Sequence, residues 1–458
     1  MARHGSTGSG TRPRPAPGLL LSSGAAMARL SSLGPVRNFR YLAELLRWAA
    51  ATARACRARR RDPRLTVAVD VSPFWEDLTG IGWYLYRLLE RLGERDDLVL
   101  RLYGPDLVAL PGERGPAVAP PRGPGLEPAA HRPPAPPGVA LARLAERIFG
   151  RGGRLLAPLL LAADGNRVLF APNYFPPRRF SLGLARGTPL VATVHDLGYR
   201  KVPWAIRPET LEELGRNMDF VWSRARVVLT DAEAVRREIL EAGLAAPERV
   251  RAVLLAPAHQ DGPGAAEAAL PEGVPGRFGL FVGTIEPRKN PETLLAAWRV
   301  LRARVPEPPA LVVCGRIGWV GDGVRRELAR AREAGWLVHL EYAPDSTLAA
   351  LYRRALVVAL PSWYEGFGLP ALEAAALGAP VVASDLPVLR EVLGESALFV
   401  PPDRPDLWAR RLEEVVGDEA LRAELARRGR ERAAAFDWAR TAEETAAALR
   451  AAAGGGGS

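Results

Sequence analysis

Residues 361–384 read PSWYEGFGLPALEAAALGAPVVAS. The apolar run before them, ALVVAL (355–360), has the length and composition of a buried strand. Pro370 suits the first position of a helix, ALEAAALG, and Gly378 suits its stop. The stretch therefore reads as strand, glycine-lined turn and helix, with PVVAS as the next strand. A helix start presents N–H groups and partial positive charge that can hold a phosphate. Gly366 and Gly368 let backbone approach a ligand without side-chain clash. Glu365 and Glu373 stand eight residues apart, one at each end of the turn. Carboxylates accept hydrogen bonds from hydroxyls, so this pair suits a ribose on one side of a phosphate cradle and a hexose on the other. The helix dipole alone also favours Glu373 in a first turn; only the combination of strand, EGFGLP and helix points to a ligand.

The same alternation extends outward. FGLFVGTI (278–285), ALVVCGR (310–316), LVHLEY (337–342) and ALFVP (397–401) read as strands, each leading to a helical pattern or a turn. An earlier series contains RLTVAVDVS (64–72), a strand near 98–103, NRVLFAP (166–172), PLVATVHD (189–196), RVVLTD (226–231) and RVRAVLLAP (249–257). In the helix after the first of these, Leu85, Leu88, Leu89 and Leu92 repeat at helical spacing. A Pro/Ala-rich insertion at about 111–138 reads as a surface loop. Short apolar strands alternating with helices predict parallel sheets covered on both faces. The fold class is thus α/β, with two Rossmann-like units whose strand carboxyl ends face a shared cleft.

A second constellation lies in FGLFVGTIEPRKNPETLLAAW (278–298). Asn290 can cap a helix and Pro291 fits its first position, which puts Arg288 and Lys289 at the cleft mouth beside another helix start. Two cations there would neutralise a departing diphosphate. Taken alone, an Arg-Lys pair is as readily a solvated surface pair.

The net charge of +11 suggests nucleic acid until it is located. Residues 1–64 hold 13 arginines against Glu44 and Asp62, which accounts for all of it and leaves a neutral body. That is a basic arm on an enzyme-like body, with no nucleic-acid partner implied. Within the arm, Leu42, Leu45, Leu46, Ala49, Ala53 and Cys56 fall on one helical face, and Arg40, Glu44, Arg47 and Arg54 on the other. Such a helix suits an anionic membrane surface, or equally packing on the body or on a neighbouring subunit. No apolar run reaches the roughly 20 residues that span a bilayer; residues 18–28, behind a basic start, are interrupted by Ser22, Ser23 and Gly24 and make a poor signal peptide. Two cysteines make neither a disulfide framework nor a zinc site, and five scattered histidines give no metal-ligand spacing. No metal and no cofactor are expected.

Together VDVSPFWEDLTGIGWY, TVHDL, VGTIEPRKN, EGFGLPALEAAALGAPVVASDLP and FDWARTAEE resemble the retaining GT-B glycosyltransferases of family four over about residues 66–450. The resemblance implies that Glu373 binds the nucleotide ribose. It implies that Glu365, with the backbone of Phe367, Gly368 and Leu369, contacts the donor sugar and phosphates. Arg288 and Lys289 would hold the diphosphate, Gly80 and Gly82 would pass close to the donor phosphates, and His195 would lie beside the transferred sugar. The family's usual account is front-face transfer, in which the leaving phosphate helps deprotonate the acceptor, so neither His195 nor Glu365 is given a nucleophile's role. Two positions depart from the pattern: Thr284 stands where many relatives have arginine, and Glu341 where glycine is common.

The expected organisation is a basic arm with an amphipathic helix (1–64), an acceptor unit (65–257), a donor unit (277–435), a helix crossing back (436–452) and a flexible tail (453–458). The expected activity is transfer of a hexose, leaning to GDP-mannose, from a nucleotide-sugar to a saccharide or lipid-linked saccharide in surface polysaccharide synthesis. The setting would be cytoplasmic or peripheral at the inner membrane face. A nucleotide-sugar epimerase or a phosphorylase could use the same architecture; a Schiff-base phosphorylase needs a dedicated lysine, and Lys201 and Lys289 lie in no such context. The alternative from another class is a non-catalytic scaffold held at a membrane by the arm.

Overall fold

The computed structural model describes residues 35–75, 80–104, 119–128, 157–173, 180–258 and 269–454. The expectations for residues 1–34, for most of the 111–138 insertion, for the linker at 259–268 and for residues 455–458 lie outside them.

The first sheet contains β1 (Leu65–Asp70), β2 (Leu98–Tyr103), β3 (Leu126–Pro128), β4 (Val168–Ala171), β5 (Leu190–Thr193), β6 (Ala225–Thr230) and β7 (Val250–Ala252). Their order is β3-β2-β1-β4-β5-β6-β7 and every pair is parallel. The second sheet contains β8 (Phe278–Val282), β9 (Ala310–Cys314), β10 (Leu337–Leu340), β11 (Val357–Leu360), β12 (Val381–Ser384) and β13 (Ala397–Val400), in the order β10-β9-β8-β11-β12-β13, again all parallel. β1, β2, β4, β5, β11 and β12 are buried at every residue, as strands covered on both faces must be. The insertion is not all loop: β3 lies within it and pairs with β2, a three-residue strand too short to show a period.

The topology fixes where a ligand goes. Each sheet reverses direction once, between β1 and β4 in the first and between β8 and β11 in the second, and open α/β sheets take ligands beyond the strand ends at such points. The segments after β8 and β11 carry VGTIEPRKN and PSWYEGFG.

Several bonds join the two units. The last helix, Trp438–Gly454, packs across β4, β5 and β6 and the helix Gly80–Leu92 of the first unit. Trp438 Nε1 donates to the Pro257 carbonyl at 3.0 Å, and Thr441 Oγ1 to that of Leu254 at 2.7 Å. Helical structure continues to Gly454, so residues 453 and 454, expected in the tail, belong to the helix. The helix Glu233–Glu241 begins at Ala232, which offers no capping side chain. Glu391, from the second unit, takes that role and accepts from the N–H groups of Glu233 and Ala234 at 2.7 and 2.6 Å.

The arm helix spans Pro35–Arg59. Its packed stripe is Leu45, Trp48 and Cys56, which meet the body, while Leu46, Ala49 and Ala53 are exposed beside Arg47, Arg54 and Arg57. The single apolar face expected from the sequence is therefore split between body and solvent; the side chains of Arg40 and Leu42 lie outside the described set. Arg59 pairs with buried Asp164 at 3.0 Å, and Arg60 Nε donates to the Ala163 carbonyl, which fixes the helix end.

Candidate active site at the interdomain cleft

β8 ends into a short 3-10 turn, Pro287–Lys289, followed by the helix Pro291–Arg304. Asn290 joins them at φ 56, the one described non-glycine residue with positive φ. Its side chain accepts from Thr293 N–H at 3.3 Å and donates to the carbonyls of Pro361 and Pro402 at 3.0 and 2.7 Å. Asparagine tolerates this region better than most residues; the Thr293 bond caps the helix, while the Pro361 and Pro402 bonds stitch the β8 turn to the loops after β11 and β13.

That stitching brings the two sequence constellations together. Lys289 Nζ lies 2.6 Å from Glu365 Oε1, which also accepts from Ser362 Oγ at 2.6 Å. Arg288 Nη1 reaches Glu365 Oε2 at 3.2 Å and the Tyr364 carbonyl at 3.1 Å, and its Nη2 lies 2.9 Å from Glu286 Oε1. All but Arg288, which is partly exposed, are buried. Burial alone would raise the Glu365 pKa, but the charges of Lys289 and Arg288 override it and hold the carboxyl down at about 2. Arg288 is likewise held charged: burial opposes its charge, and Glu365, Glu286 and Asp196 more than compensate. Among the described residues the surface-pair reading of Arg288 and Lys289 does not apply.

The loop 361–368 turns into the helix Leu369–Ala376 through Gly368, at φ 91. Leu369 is thus its first residue and Pro370 its second. Phe367 packs edge-on against Phe436, with ring centroids 6.1 Å apart. Glu373 is buried in the helix, and Tyr352 donates to its Oε2 at 3.1 Å. Across the cleft, a Cβ at Gly366 would stand 2.1 Å from the His195 carbonyl oxygen, so no other residue fits there with the two units in this contact.

His195 follows β5. Its Nε2 donates to the Pro172 carbonyl at 2.9 Å and its Nδ1 lies 2.7 Å from Asp231 Oδ2. A carbonyl only accepts, so Nε2 carries a proton. Burial opposes a charged ring, but Asp231 outweighs it and the imidazole pKa is raised. Both ring nitrogens are thus engaged within the first unit, and it is the His195 backbone that meets the glycine loop. Gly80 and Gly82, expected in the loop before the first helix, are both in the helix Gly80–Leu92, Gly80 at its exposed first position and Gly82 buried within it; residues 76–79 lie outside the described set.

Comparison with known proteins bears on this arrangement. Residues 268–432 match the family model described as "Glycosyl transferases group 1". The matched stretch takes in the second unit, 165 of the 458 residues. O-antigen chain mannosyltransferase B of Escherichia coli is 29% identical over 287 residues, covering 61% of this chain and 72% of that protein. D-inositol 3-phosphate glycosyltransferase of Salinispora arenicola is 35% identical over 288 residues, covering 56% and 62%. Sucrose-phosphate synthase from Thermosynechococcus elongatus shares the fold with a TM-score of 0.62 at 22% identity, over 85% of this chain and 99% of that one. Anabaena HepE in complex with UDP and glucose does so with 0.59 at 16% identity, over 85% and 100%. The two-sheet architecture is that of GT-B glycosyltransferases.

Within residues 268–432, Glu286, Ser362 and Tyr364 complete the Lys289–Glu365–Arg288 cluster and Tyr352 engages Glu373, and none of the four is marked by the sequence. Asp231, in the first unit, is another. Its signal is a carboxylate at the end of RVVLTD, where a parallel strand opens onto the cleft. For Ser362 and Tyr364 the only signal is adjacency to Glu365.

Proposed function

We propose that the protein is a retaining glycosyltransferase that moves a hexose from a nucleotide-sugar to a saccharide or lipid-linked saccharide. The observation that carries this reading is the buried Lys289–Glu365–Arg288 cluster at the switch point of the second sheet, next to a glycine-led helix start. Glu373 takes the ribose hydroxyls. Glu365, with the Phe367–Gly368–Leu369 backbone, takes the donor sugar and phosphates. Lys289, braced by Arg288, neutralises the diphosphate as the glycosidic bond breaks, the step at which preorganised charge acts most strongly. Gly80 and Gly82 leave room for the phosphates from the other side, and His195 borders the transferred sugar through its backbone. No protein nucleophile is required when the leaving phosphate accepts the acceptor's proton on the same face.

A mannosyl donor is the preferred reading, supported by the name of the O-antigen relative; the guanine base is carried over from the sequence resemblance alone. The arm helix adds a membrane-facing element: exposed Leu46 beside Arg47, Arg54 and Arg57 suits anionic lipid, where each basic residue contributes about 1 kcal/mol. Among the described residues no helix is long and apolar enough to cross a membrane. The experiment is a nucleotide-sugar panel scored for nucleotide diphosphate release and for the anomeric configuration of the product by NMR. Release from GDP-mannose with retained configuration supports the reading; no release from any donor overturns it and leaves a scaffold.

A further inference from the structure

Tryptophan is a residue that folding buries, yet Trp204 is 61% exposed. It lies in the 3-10 turn Pro203–Ala205, on the segment that follows β5 and His195, where the first sheet opens onto the cleft. Its ring meets Trp363 of the second unit edge-to-face, with centroids 5.8 Å apart at 82°. Trp363 is two residues before Glu365, and its backbone N–H donates to the Arg288 carbonyl at 2.9 Å, which ties the Trp363 backbone to the Arg288–Glu365 cluster. A third tryptophan fixes the turn: Trp319 Nε1 donates to the Ala205 carbonyl at 3.1 Å, and the Arg207 guanidinium lies 5.2 Å over the Trp319 ring.

The turn is therefore held by a hydrogen bond and a cation–π contact, while the Trp204 face is left to solvent. Among the described residues, no hydrogen bond engages the indole N–H of Trp204 or Trp363. A pyranose presents an apolar C–H face and a rim of hydroxyls. An indole matches both, with a broad polarisable face and one N–H donor.

We propose that Trp204 and Trp363 form an acceptor subsite for a saccharide chain, with one pyranose ring stacked on Trp204. This rests on the glycosyltransferase reading and deepens it. Trp363 adjoins the donor-side Glu365, so the stacked ring belongs to the acceptor and lies outward of the unit that receives the hexose. The acceptor class is then an oligosaccharide of at least two units, rather than a small polyol phosphate.

The test uses the full chain, Trp204→Ala, Trp204→Tyr and α-manno-oligosaccharides of one to four units. Binding is read by saturation-transfer NMR in the presence of GDP, and acceptor KM by turnover. The expected result is that Trp204→Ala weakens the tri- and tetrasaccharides about 3- to 12-fold, the scale of one lost aromatic face. The monosaccharide and the donor should change less than twofold, and Trp204→Tyr should restore most of the loss. Saturation should fall on the ring protons of one internal unit. Equal weakening at every length overturns the proposal, as does a donor loss matching the acceptor loss, which would make the pair a closure contact only. Failure of the wild-type chain to bind any of these saccharides also overturns it. Failure of every donor to release nucleotide diphosphate is a separate result that bears on the glycosyltransferase reading.

Discussion

The Tyr364 hydroxyl donates to Glu238 Oε2 at 2.8 Å across the cleft, and its own oxygen accepts from Leu197 N–H at 3.0 Å. Tyr364 belongs to the glycine-lined loop and is adjacent to Glu365, whereas Glu238 and Leu197 belong to the first unit. Burial, with Asp196 and Glu238 nearby, raises its pKa well above the tyrosine range, so the hydroxyl keeps its proton. Closure of the cleft and placement of Glu365 are thus mechanically linked through one side chain.

Tyr364→Phe should shift the balance toward an open cleft by about 1.5–3 kcal/mol, the scale of a hydrogen bond to a charged group. Small-angle scattering of the ligand-free protein should show a larger radius of gyration, and turnover should fall. Identical scattering curves for both proteins would show that the bond does not hold the units together.

Glu373 is buried and accepts from Tyr352, so Glu373→Ala removes two things at once. Donor affinity should fall by about 1.5–3 kcal/mol through lost charge-assisted bonds, and Tm should also fall because the Tyr352 hydroxyl loses this acceptor. Glu373→Gln keeps an acceptor for Tyr352 and should recover Tm without recovering donor affinity. Calorimetric donor affinity equal to wild type in both variants would remove Glu373 from the site.

Lys289→Ala should lower kcat more than it raises donor KM, because charge on the diphosphate grows as the bond breaks. It also leaves buried Glu365 with less compensation, a loss of about 3–5 kcal/mol when one partner of a buried pair is removed. An effect confined to KM would assign Lys289 to ground-state binding alone.

Glu365 titrates at about 2 in the folded protein, below its ordinary 4.5. A depressed carboxylate pKa contributes stability that is complete above about 4.5 and is lost as pH falls through about 2. The gap corresponds to about 3 kcal/mol. Carboxyl-carbon NMR should find Glu365 still ionised at pH 3, alongside surface Glu424, which Arg427 and Arg428 also hold down at about 2, and Lys289→Ala should move the Glu365 midpoint alone upward. A midpoint near 4.5 in the wild-type protein would mean that the cluster does not hold its charge as described.

Deleting the whole arm would strip Arg59 from buried Asp164, so a point change is the cleaner probe. Leu46→Glu, on the exposed stripe, should abolish sedimentation with anionic liposomes and leave Tm unchanged. Retained sedimentation would move any lipid contact elsewhere on the chain.

The sheets are legible in the sequence because buried parallel strands are short apolar runs, and both helix starts at the site are marked by a Pro, directly after Asn290 in one and one residue beyond Gly368 in the other. The Lys289–Glu365 contact is not legible, since its partners are 76 residues apart and meet only through strand order. His195 is marked by its HD context, but the Asp231 and Pro172 partners that occupy its ring are set by how β4, β5 and β6 align. The split face of the arm helix escaped notice for a related reason. Helical spacing groups Leu45 with Leu46, and only the body they meet separates them.

Because Glu391 finishes the helix Glu233–Glu241 and the helix Trp438–Gly454 lies on the first sheet, the first unit is completed by residues encoded in and beyond the second unit's stretch of chain. A chimera that joins this first unit to a foreign donor unit at the linker would leave one helix uncapped and one sheet face bare. On the donor and acceptor roles proposed above, exchange of donor specificity between relatives has to carry Glu391 and residues 436–454 with the first unit, or alter the loops after β8 and β11 in place.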